Sequence, residues 1–211
     1  YEETAELVEA QRQEAIRRRM HLVELPASLK HATLAPHQKD SVILAKSRTE
    51  ILSLMSDFIG NFHSPTKKGL YVYGDFGVDK SFLLAALAHD LSEKYSVATT
   101  MIHYPSFVVN VKNAIQSGQV KSEIDTVKKA DILILDDIGA ENTTEAVRSM
   151  LVRIADGRLG KWTLWTSNLL SDDIGKTIDV RIASRMYRGD NVVCEVENAP
   201  DYCFERKRRL S

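Results

Sequence analysis

The sequence predicts an α/β fold: a parallel sheet with helices on both faces, built around a phosphate-binding loop. Three observations carry this. Residues 74 to 81 read G-D-F-G-V-D-K-S, one position away from the G-x-x-x-x-G-K-[ST] pattern. Ile132 to Asp137 reads I-L-I-L-D-D, an apolar run ending in acid. Between and after them, short apolar runs alternate with amphipathic stretches, which implies strands joined by crossover helices.

The loop comes first in the argument. A phosphate loop wraps backbone N–H groups around phosphate oxygens, and the following helix adds its positive dipole end. Gly69 to Tyr73 is β-prone and Phe82 to Ala88 is helix-forming, so the octet sits between strand and helix as the motif requires. Gly74 makes the first turn, Gly77 adds flexibility, Lys80 is the candidate phosphate lysine and Ser81 the candidate Mg²⁺ ligand. Asp75, Phe76, Val78 and Phe82 complete the candidate nucleotide-binding stretch. Asp79 stands where the pattern wants its second glycine. It brings a Cβ and a like charge beside the expected triphosphate, which disfavours binding, and it can capture Lys80. The expectation is a loop of P-loop shape with impaired nucleotide affinity.

The second motif lies 55 residues after Ser81, room for one strand and its helices. That gap suggests an intervening strand between the two motif strands. The apolar run suits a strand buried on both faces. Asp136 is placed to hold Mg²⁺, and Asp137 to orient or deprotonate the attacking water. Thr166-Ser167-Asn168 follows the apolar run Trp162 to Trp165. Asn168 there can sense the γ-phosphate and the attacking water; alone it would read as a turn or cap residue. Arg181 and Arg185 lie four apart, on one face of a helix. Either a solvated surface helix or an arginine finger fits that spacing, and spacing alone favours the former.

Elsewhere, residues 2 to 20 read as a charged linker helix ending in Arg17-Arg18-Arg19, and Pro26 and Pro36 bracket an irregular segment. Residues 40 to 62 read as an amphipathic helix. Val97 to His103 and Val192 to Val196 read as strands, and 107–115, 120–130 and 143–158 as helices. This divides the chain into a linker and lead-in, 1–38, and an ATPase-like domain, 39–211. With 211 residues and 44% hydrophobic content, the chain has material for one core. A net charge of −1 advertises no nucleic-acid partner globally. Local candidates are Lys112, Lys121, Lys128, Lys129 and the tail Arg206-Lys207-Arg208-Arg209. Cys194 and Cys203 fit neither a zinc site nor a disulfide framework and read as reduced cytoplasmic thiols. No apolar run reaches membrane-span length.

In this order the motifs resemble the DnaI/DnaC-type helicase loaders of the AAA+ superfamily. The resemblance rests on Lys68 to Asp75, Ala85 to Leu91, Ile132 to Glu141 (I-L-I-L-D-D-I-G-A-E), Thr166-Ser167-Asn168, Ser184-Arg185-Met186 and the lead-in Leu22 to Leu34. It implies a P-loop NTPase (AAA+) three-layer fold with little or no lid, ATP and Mg²⁺ as cofactors, and ATP hydrolysis. It also implies loading of the replicative hexameric helicase onto single-stranded DNA. Nucleotide-bridged self-oligomers follow from it, with Arg185 as the finger supplied in trans. So does an N-terminal helicase-binding domain upstream of Tyr1. A related transposition-helper ATPase and a nucleotide-impaired structural or adaptor domain are the alternatives. Trp162 and Trp165 are bulkier than expected beside Asn168.

Overall fold

The computed structural model describes residues 20–23, 29, 32–34, 53, 60, 68–95, 97–117, 127–141, 143–187 and 191–196. The expected helices over 2–20 and 40–62 fall almost wholly outside these residues, as do 120–126, Cys203 and the basic tail. Strand β1 is Met20–Val23, β2 Gly69–Gly74, β3 Thr99–His103, β4 Ile132–Ile138, β5 Trp162–Ser167 and β6 Val192–Val196. Helix α1 is Lys80–Tyr95, α2 Tyr104–Ser117, α3 Glu145–Gly157, α4 Ser171–Thr177 and α5 Val180–Met186.

The strands form one sheet in the order β1-β3-β4-β5-β2-β6, every neighbouring pair parallel. The 55-residue gap contains β3, as its length allows, but β3 pairs on the far side of β4. The strand lying between the two motif strands is β5, which carries Thr166 and Ser167 into the centre of the sheet. Two elements were not foreseen. Helix α4 is too short to show a period, and β1 comes from the lead-in, where Met20 opens a strand and does not close a helix.

Alternation along the strands builds two cores. Leu70, Val72, Ile132, Ile134, Trp162 and Leu164 pack with Leu84, Leu87 and Leu91 of α1 on one face. Tyr71, Leu133, Leu135 and Trp165 pack with α2, α3, α4 and α5 on the other. Helices therefore cover both faces, and apolar strands follow from double-sided burial. Trp162 and Trp165 are core residues of opposite faces, so their bulk fills the interior and does not crowd Asn168. Helix α3 begins where it does because Thr144, in extended backbone, accepts the Val147 N–H at 3.4 Å, with Glu145 in the first turn.

Candidate nucleotide site at the carboxyl ends of the strands

Loop 74–79 leaves the end of β2 and enters α1 at Lys80. Gly74 has φ 148°, and a Cβ there would stand 2.4 Å from the Val196 carbonyl oxygen. Only glycine lets the loop depart so close to β6. Gly77 has φ 78°. Asp79 has φ 61°, the left-handed conformation that the missing glycine would adopt, and its carbonyl accepts the Leu83 N–H at 2.9 Å. Aspartate is among the few residues that tolerate this region, so the loop keeps its backbone path without glycine. Phe76 projects into solvent at the loop tip, while Val78 is buried.

Lys80 is buried and its ammonium donates to Gly74 O at 2.9 Å, Asp75 O at 2.7 Å and Asn168 Oδ1 at 2.7 Å. None of these acceptors is Asp79, so the feared capture of the lysine is corrected: the ammonium is shared between the loop's own carbonyls and Asn168. Burial lowers the Lys80 pKa, and Asp137, Asp136 and Asp75 oppose that shift. Asn168 in turn donates Nδ2 to Asp137 Oδ1 at 3.1 Å. One amide thus joins the loop lysine to the end of β4.

Asp136 is buried and accepts from Thr166 Oγ1 at 2.7 Å, and its other oxygen lies 3.5 Å from His103 Nδ1. The hydrogen bond to Asp136 raises the His103 pKa, with burial opposing. Burial, then the neighbouring Asp136 charge, raises the Asp137 pKa. Such a carboxylate is a stronger base than a solvated one. Ser81 stands at the first turn of α1 and is partly exposed. Ser81 and Asp136 offer hard oxygen donors. Among the described residues no group of three His, Cys, Asp or Glu side chains could cage a metal alone. That donor set fits Mg²⁺, which takes one or two protein oxygens and completes its shell with phosphate and water.

Arg185 lies elsewhere. It pairs with Asp156 and donates to Arg181 O at 2.7 Å, and it lines a cleft with Gly69, Thr163 and Asn191. Gly69 opens β2 and Thr163 stands second in β5, whereas the loop and Asn168 follow their ends. A five-residue strand advance is about 17 Å, so Arg185 cannot reach this chain's own loop. Lys112 and Lys129 are exposed and Lys128 is half-buried. His103 and Thr166 are site neighbours to which motif reading gave no role. His103 ends β3, and Thr166 belongs to the T-S-N run in which Asn168 alone was given a role.

The family described as the bacterial DnaA ATPase domain matches residues 50–192, more than half of the chain. The chain belongs to that family. Over 132 residues it is 36% identical to the replicative helicase loader DnaI of Bacillus subtilis (strain 168); the match covers 61% of this chain and 42% of that relative. The chain thus spans less than half the length of this relative. It is 40% identical to a Streptococcus pyogenes serotype M3 protein assigned to the primosome, with TM-score 0.70, covering 88% of this chain and 96% of that one. A DnaI crystal structure is 26% identical with TM-score 0.68, covering 90% and 98%. The resemblance to the DnaI/DnaC-type loaders is borne out, and so is the AAA+ P-loop fold.

Proposed function

We propose that this domain is the ATP-dependent engine of a loader that delivers the replicative hexameric helicase onto single-stranded DNA in the cytoplasm. The observation that carries the nucleotide reading is the Lys80–Asn168–Asp137 chain, which links the ends of three elements through two side-chain hydrogen bonds. Loop residues 74–79 and the amino end of α1 would cradle the phosphates, with Lys80 turning from its carbonyls to the phosphate oxygens. Ser81 and Asp136 would hold Mg²⁺, which neutralises developing charge on the phosphates when bound. Asp137 would take the proton of the attacking water, and Asn168 would hold that water and the γ-phosphate. Similarity to DnaI and to a primosome protein supports the helicase as partner.

Arg185 would act in trans, on nucleotide bound by a second copy, because its own loop is out of reach. Helicase-bound or nucleotide-bound self-oligomers then complete the site. A scaffold impaired in nucleotide binding is the second reading, and Asp79 favours it: its carboxylate remains in the loop although its backbone fits. Capture of the replicative helicase by the full-length protein separates these. The loader predicts capture strengthened by Mg-ATP and reduced by Lys80→Ala, which removes the phosphate lysine. Capture indifferent to nucleotide would leave only the scaffold, and no capture at all would remove the loader.

A further inference from the structure

The ladder between β4 and β5 slips at the acidic end of β4. Leu135 pairs with Trp165 and Ile138 with Ser167, so Asp136 and Asp137 together face the single residue Thr166. This is a β-bulge, and Asp137 occupies it with φ 59°. In a regular strand these two neighbours would point to opposite faces of the sheet, and Asp137 would enter the core that holds Leu133 and Leu135. The extra residue returns Ile138 to that core and leaves both carboxylates acting on Lys80.

A bulge removes a backbone N–H from the ladder, and a buried donor must find another acceptor. Here the Asp137 N–H donates to Thr166 Oγ1 at 2.7 Å, and the same hydroxyl donates to Asp136 Oδ1 at 2.7 Å. Thr166 is almost completely buried, and its hydroxyl has one proton, which the Asp136 bond uses. Ser167 repeats the device one residue on, donating to Ile138 O at 2.5 Å.

We propose that Thr166 is a positioning residue of the nucleotide site: its hydroxyl clasps the bulge and sets the metal-binding carboxylate and the base in one fixed relation. This rests on the proposed ATPase reading but is tested partly outside it. Thr166→Val keeps shape and removes the hydroxyl; Thr166→Ser keeps the hydroxyl. Residue-resolved amide exchange in the nucleotide-free protein comes first. The Asp137 amide loses at least tenfold protection in the valine variant, the rest of β4 keeps its own, and serine restores it. Equal protection in wild type and T166V would overturn the clasp. Mn²⁺ affinity in the presence of AMPPCP then falls about tenfold in T166V and is retained in T166S, while metal-free AMPPCP affinity is unchanged. Unchanged Mn²⁺ affinity in T166V would overturn the positioning role. If wild type binds no AMPPCP, the ATPase reading falls and the amide exchange still decides the clasp.

Discussion

The two ends of the sheet handle buried charge in opposite ways. At the amino end, Arg158 follows α3 and is buried, donating to Lys128 O, Ala130 O, Asp131 O, Trp162 O and Thr163 Oγ1. Burial lowers its pKa to about 10, and the carbonyls that ring it are fixed by the backbone. At the carboxyl end, Lys80 has two carbonyls and one amide, and is surrounded by three aspartates. Two of the backbone positions there, Asp79 and Asp137, are left-handed without being glycine. One end is a rivet whose partners cannot leave. The other is a set of partners that a phosphate and a cation can replace. Left-handed aspartates and displaceable bonds gather at the second end, which is the arrangement the proposed nucleotide site calls for.

The comparison breaks first at the rivet. Arg158→Met strands several buried carbonyls and should cost at least about 3 kcal/mol in denaturant unfolding. A cost below about 1 kcal/mol would mean that water already satisfies those carbonyls. The next effect is at the loop. Asp79→Gly keeps the left-handed turn, removes a carboxylate, and should tighten Mg-ATP binding about tenfold, roughly 1.4 kcal/mol. Calorimetric affinities that match those of the wild type would show that the carboxylate never faced the phosphates.

The smallest effect is at a helix start. Asp179 caps α5, accepting the Arg181 N–H at 2.8 Å, and Arg181 holds its pKa down to about 2 from 3.8. A depressed acid stabilises fully above its unfolded value. Its contribution should therefore persist above pH 3.8 and fade as pH falls toward 2. Asp179→Ala should cost about 1 kcal/mol at neutral pH and clearly less near pH 2, where about half of these carboxyls are protonated. An equal cost at both would assign the effect to packing.

Much of this was legible in the residues. The strands at Gly69 and Ile132 announced themselves as apolar runs between breakers, because double-sided burial leaves no polar face, whereas Val192 to Val196 is an edge strand that buries Cys194 and Val196 and exposes Val193 and Glu195. Lys80, Asp136, Asp137 and Asn168 were legible as a set because their spacing repeats a known order, and the fold brings them together. What could not be read was register. Nothing in L-D-D-I says that two residues will face one, so Thr166 looked like a strand end and not a partner of both acids. Nor does the pattern tell where a lysine's hydrogen bonds go. Charge proximity in sequence suggested Asp79, whereas the loop's turn placed carbonyls of Gly74 and Asp75 nearer to hand.

The most direct test is a calorimetric titration of the protein with Mg-ATP, run on wild type, Asp79→Gly and Lys80→Ala together. The geometry predicts saturable one-to-one binding to wild type, tighter binding to Asp79→Gly, and a loss of at least about a hundredfold in Lys80→Ala, near 2.7 kcal/mol. Absence of binding to both wild type and Asp79→Gly, or binding that ignores the loss of Lys80, would contradict a nucleotide site at the ends of these strands.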